Sequence, residues 1–67
     1  MKTESNFGRE YAEAMQGEDG FDSPVDVEEM LTSSRDLPDG DYRAMKNAGI
    51  ENPDAREYWE GFNSYFD

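Results

Sequence analysis

Asn52-Pro53-Asp54-Ala55-Arg56-Glu57-Tyr58-Trp59-Glu60-Gly61-Phe62-Asn63-Ser64-Tyr65-Phe66 decides how this chain folds. Ala55, Tyr58, Trp59, Phe62, Tyr65 and Phe66 stand at offsets 0, 3, 4, 7, 10 and 11, which describe one continuous face of an α-helix. Asn52-Pro53-Asp54 supplies the start: a capping side chain, a proline where the missing N–H costs nothing, and an acid beside the positive end of the dipole. A helix so rich in rings must bury them, and the other segments have to provide the cover.

Three upstream segments have helical spacing. Phe7, Tyr11 and Met15 recur every fourth residue and predict a helix from Ser5 to Gln16, with Ser5 or Asn6 as cap and Gly17 as stop. Residues 1–4 are expected to lie outside it as a flexible end. Gly8 weakens that helix, by up to about 1 kcal/mol relative to alanine. Ser23-Pro24-Val25-Asp26 reads as a second start, leading to an apolar stripe of Val27, Met30 and Leu31 that runs to about Ser33. After the turn composition of Asp36-Leu37-Pro38-Asp39-Gly40, a third helix is expected over Asp41–Ala48, with Tyr42, Met45 and Ala48 inward. Gly49-Ile50 closes it as a glycine stop with its hydrophobic contact, and Lys46 suits the last turn. No segment alternates as a strand would, and no repeat is visible. The expectation is an all-α bundle of three or four short helices in one small domain.

The totals set limits on that bundle. With 67 residues it is small enough to be marginally stable. It has no Cys to form a disulfide and no His, so the usual zinc ligands are missing. Low hydrophobic content at high net charge raises the question of disorder. The nine aromatics at helical spacing answer it in favour of folding. Only five residues are Leu, Ile or Val, so aromatics and methionines must fill the core, with Trp59 and Phe62 at its centre. No apolar run approaches a membrane span. The first residues lack the apolar region of a secretory signal, which makes the cytoplasm the expected location.

Charge carries the functional reading. The chain has seventeen acids against six bases, for a formal charge of -11. Between Glu10 and Ser34 stand Glu10, Glu13, Glu18, Asp19, Asp22, Asp26, Glu28 and Glu29, without one Lys or Arg. Such a field repels nucleic acid and anionic membrane and attracts basic protein surfaces. Carboxylates three or four apart on a helix are about 5–6 Å apart. That is a spacing able to imitate a run of phosphates. These eight acids are therefore the candidate partner-binding residues, and the expected partner is the basic surface of a nucleic-acid-binding protein.

Other classes are weaker. Asp19, Asp22 and Asp26, or Asp36, Asp39 and Asp41, offer oxygen ligands, but neither group has the calcium-loop spacing; no metal or cofactor is expected. Thr32, Ser33 and Ser34 have no histidine to activate them, and so small a core leaves little room for a substrate pocket. The chain is not expected to be an enzyme. Direct nucleic-acid binding fails because the six bases are dispersed among the acids. Two alternatives to the acidic inhibitor remain. In one, Tyr58, Tyr65 and Phe66 are exposed anchors that dock a partner or a second copy; in the other, the acids adapt the domain to high salt.

Asn52-Pro53 followed by Tyr58-Trp59-Glu60-Gly61-Phe62 resembles the closing helix of ribosome modulation factor-like proteins, where a proline precedes an aromatic-x-x-Gly-aromatic helix. Those proteins are basic and bind ribosomal RNA. This chain has the opposite charge, so the resemblance, over some ten residues, implies no function or site residue here. In size and charge the chain also looks like the acidic inhibitors that phages and mobile elements direct against restriction or CRISPR systems, a likeness of physical type. If the inward face is assigned correctly, Trp59→Ala abolishes folding; a thermal melt matching that of the parent would reverse the assignment.

Overall fold

The computed structural model describes residues 2–16, 23–32 and 37–66. They form four helices and no strand: α1 (Glu4–Met15), α2 (Val27–Thr32), α3 (Asp39–Asn47) and α4 (Ala55–Ser64). The expected all-α bundle is what the chain builds. Phe7, Ala12, Leu37, Met45, Tyr58, Trp59 and Phe62 make the buried core, and Tyr58, Phe62 and Met45 are its largest fully buried side chains. Trp59 and Phe62 lie where the spacing put them.

α1 and α4 are the central pair. The N–H of Asp54 donates to Glu4 Oε2 at one end (3.2 Å), and Tyr65 Oη donates to Gln16 Oε1 at the other. Starts meet starts and ends meet ends, so the two helices run side by side in the same sense. Their backbones touch. A Cβ built on Gly8 would stand 1.9 Å from the Tyr58 carbonyl oxygen, and one on Gly61 would stand 2.1 Å from that of Ser5. Ser5, Gly8 and Ala12 are thus the small-residue stripe of α1 that lets α4 approach. The sequence reading counted Gly8 only as a weakness in α1. Its effect between helices outweighs its effect within one.

Start signals lie one to three residues away from those expected. α1 begins at Glu4, capped by Thr3 rather than Ser5 or Asn6. Asn6 closes the capping box by accepting from the Thr3 N–H (2.9 Å). α4 is capped by Asp54, whose carboxylate accepts from the N–H groups of Arg56 and Glu57 (2.9 and 3.3 Å). Asn52 is outside it and Pro53 precedes the cap. An acceptor that is ionised makes the stronger cap bond. α2 starts at Val27, not after Ser23. Both backbone groups of Val25 are taken by the side chain of Asn63, as Val25 N–H to Oδ1 and Nδ2 to the Val25 carbonyl, each 2.8 Å. These bonds hold Val25 ahead of the helix, and Asp26 becomes the first acceptor, through its carbonyl to Met30 and its carboxylate to Glu29. The expected stops at Gly17 and Ser33 lie outside the described residues.

α3 begins at Asp39, two residues before its expected start, and turns a different face inward. Met45 is fully buried, but Ala48 is exposed and Tyr42 is 44% exposed. Asp41 takes the inward position instead, because the buried Tyr58 hydroxyl donates to its Oδ2 (2.6 Å). The closing motif is as read. Gly49 has φ +99°, its N–H bonds the Lys46 carbonyl, and the Ile50 N–H reaches back to Met45.

Alanine normally stabilises a helix interior relative to glycine. Here Gly8→Ala and Gly61→Ala must each push a backbone away, an overpacking cost of about 3 kcal/mol. Each is expected to lower Tm by at least about 10 °C. Gly40→Ala, which has open space around the added methyl, should leave Tm unchanged or raise it. Thermal melts of the three variants check this ordering.

Candidate functional site

Of the eight candidate acids, Glu18, Asp19 and Asp22 lie outside the described residues. Glu10, Glu13, Asp26, Glu28 and Glu29 are all exposed. They do not form a patch of their own. The backbones of α1 and α2 do not come close to each other; α2 approaches α4, and α3 approaches α1 while its Asp41 bonds the Tyr58 hydroxyl of α4. The elements therefore lie in the order α3, α1, α4, α2, with α4 between the two acidic helices.

α4 fills the gap with carboxylates that the sequence reading left out of the site. One flank of α4 meets α1 at Gly61, and the other holds the α2 segment through Asn63 and Arg56. On the arc between them, at 100° per residue, lie the exposed Glu57 and Glu60. The exposed Glu13, Glu57, Glu60, Glu28 and Glu29 are spread over the outward sides of three helices, with the exposed Arg9 between Glu13 and α4 at 100° per residue and Arg56 beside Glu28. Glu10 points to the far flank of α1. The signal for Glu57 and Glu60 was their place opposite the aromatic face of the same helix.

Two of the described acids are paired. Glu10 pairs with Lys2 and Glu28 with Arg56, each at 2.8 Å. Arg56 is also within electrostatic reach of Glu60 and Asp54. The Glu28 carboxylate, first by its hydrogen bond and then by its charge, raises the guanidinium above its ordinary value. Exposed pairs of this kind add little stability and are screened by salt. Glu13, Glu29, Glu57 and Glu60 form no ion pair among the described residues, so most of the field is unspent. Asp26 serves α2 as its cap.

The aromatic candidates are corrected. Tyr58 is fully buried, because its ring fills the core and its hydroxyl needs Asp41, so it cannot be a surface anchor. Tyr65 and Phe66 are half-buried and pack on the core cluster. Phe66 lies 5.6 Å from the Phe62 ring and 5.2 Å from Tyr65. Among the described residues Tyr42 is the large hydrophobic that stands exposed, with Lys46 Nζ 5.8 Å from its ring centre. No group of three or more metal-ligating side chains occurs among the described residues, and no described helix is long and apolar enough to cross a membrane. No family model, curated protein or solved structure matches the chain.

Two tyrosines give the domain an alkaline limit. Burial, then the hydrogen bond to Asp41 and its charge, raise Tyr58 well above the ordinary value of about 10; burial and the Asp41 charge raise Tyr11 in the same direction. Below that value the phenols are neutral in both folded and unfolded chains. Above it the unfolded chain releases protons that the folded chain keeps, so stability falls as pH rises. Urea melts should show the decline setting in near about pH 10 and less steeply for Tyr58→Phe. That variant should also lose about 1–3 kcal/mol at neutral pH, where Asp41 is left without its donor.

Proposed function

We propose that this protein binds a cationic surface of another protein through the acidic face of α1, α4 and α2, and so competes there with nucleic acid. The observation that carries the reading is the exposure of Glu13, Glu57, Glu60 and Glu29, which form no ion pair among the described residues. A surface that must only keep a domain soluble has no need to concentrate one sign across adjacent helices. Glu57 and Glu60, three apart, stand about 5–6 Å from each other. The neighbouring helices extend the row sideways, so that the face presents charge over an area, as a nucleic-acid backbone does. A protein built to hold phosphates with Lys and Arg meets the same chemistry here. The mode is that of the acidic, phosphate-imitating inhibitors of nucleic-acid-binding machinery, anti-restriction and anti-CRISPR proteins among them. An adaptor working through exposed rings has less support, because Tyr58 is buried and Tyr65 and Phe66 are half-buried against the core.

Position and total charge can be separated. Reversing Glu13, Glu29 and Glu60 to Lys, one on each helix of the face, should abolish capture of nucleic-acid-binding proteins from a low-salt lysate. Reversing Glu10, Asp39 and Glu51 changes the net charge equally but leaves the face intact, and should leave most of the capture. Both variants should keep the helical circular dichroism of the parent. A DNA duplex should displace the captured proteins, and added salt should weaken the binding steeply. Equal loss in the two triple variants would reduce the effect to net charge and reject the face.

A further inference from the structure

Asn63, half-buried near the end of α4, makes two bonds to a single residue. The Val25 N–H donates to its Oδ1 and its Nδ2 donates to the Val25 carbonyl, each at 2.8 Å. An amide side chain offers an acceptor and a donor side by side, as a peptide group does, so one residue satisfies both backbone groups of Val25. Val25 stands directly before Asp26, whose carboxylate accepts from the Glu29 N–H at the start of α2. The point from which α2 sets out is therefore fixed by one side chain of α4.

Little else holds the segment. None of the residues of α2 is buried, and α4 is the helix whose backbone it approaches. Val25, Val27 and Met30 pack on the core while staying partly exposed. A helix of six residues is too short to persist by itself. The ion pair of Arg56 with Glu28 also links α2 to α4, but both partners are exposed and such a pair contributes little. Arg56 stands seven positions before Asn63, about two turns away and on the same side of α4. With Val25 and Glu28 held at those two points, the exposed Glu29 is left on the outward side of α2, away from Val27 and Met30.

We propose that Asn63 is a positioning residue for the partner-binding surface: by holding both backbone groups of Val25 it fixes residues 23–32 against α4 and so decides where Glu29 stands. The use of Glu29 by a cationic partner rests on the reading given above; the hold of Asn63 on the segment does not. Without that hold the segment leaves α4, while the α1–α4 contact at Gly8 and Gly61 and the Tyr58–Asp41 bond stay closed. Glu29 then keeps its charge and loses its place.

Hydrogen exchange tests the hold. In the unmodified protein the Val25 and Met30 amides should exchange at least about 10-fold faster than the Phe62 amide, because the segment opens without the core. In Asn63→Ala the Met30 amide should lose nearly all its protection while Phe62 stays protected by at least about 100-fold. One common rate for the three amides in the unmodified protein, or a Met30 amide that keeps its protection in the variant, overturns the hold. Binding of a polyarginine peptide at low salt tests the positioning. Glu29→Gln should weaken it at least about 3-fold in the unmodified protein and by less than half as much in the Asn63→Ala background, a coupling that a loss of stability alone does not produce. Equal weakening in the two backgrounds overturns the positioning of Glu29. No weakening in the unmodified protein overturns it too, together with the cationic reading of α2, and leaves the hold to be decided by exchange.

Discussion

Backbone contact between α1 and α4 at Gly8 and Gly61 is the constraint on which the remaining structure depends. With no Cβ at either position, the Tyr58 and Ser5 carbonyl oxygens can lie against the facing helix. Close approach brings Tyr11 to within 6.3 Å of the Tyr58 ring and 6.1 Å of the Phe62 ring, and puts Ala12 in the core. A chain with only five Leu, Ile and Val residues has few other ways to exclude water. Dispersion contacts are individually small, and they accumulate only when surfaces meet without gaps.

Everything else is arranged around that pair. α3 lies on α1 and is held to α4 by the bond from the buried Tyr58 hydroxyl to Asp41. The α2 segment lies on the opposite flank of α4, held by polar groups at the edge of the core. The two attachments differ in kind. α3 contributes the fully buried Met45 and α2 contributes no buried side chain, so the free energy of detaching each should differ in the same order. The outward faces left over are acidic because the inward ones consumed nearly all the apolar residues available.

How much of this was legible beforehand depends on the range of the interaction. The stop of α3 at Gly49-Ile50 was readable, since a Schellman motif is built from a glycine and its immediate neighbours. The inward face of α4 was readable from spacing, because six apolar positions at helical period leave one way to bury them. The starts of α2 and α4 were misplaced. Each contains several capping residue types in a row, and which of them caps is decided by distant groups, Asn63 for the one and Glu4 for the other. Tyr42 was misread as core because the Tyr58 hydroxyl holds Asp41 on the inward side, which leaves Tyr42 outside.

The amino-acid order by itself determined the helical class, the ring-rich face of the last helix and the sign of the surface, since these follow from local periodicity and composition. Folding in three dimensions decided the rest. It turned Gly8 from a local defect into the point where two backbones touch, and it withdrew Tyr58 from the surface. It also inserted Glu57 and Glu60 between acids far away in sequence. Those outcomes depend on which helix lies beside which, and that is fixed by packing between residues some fifty positions apart, beyond the reach of any local pattern.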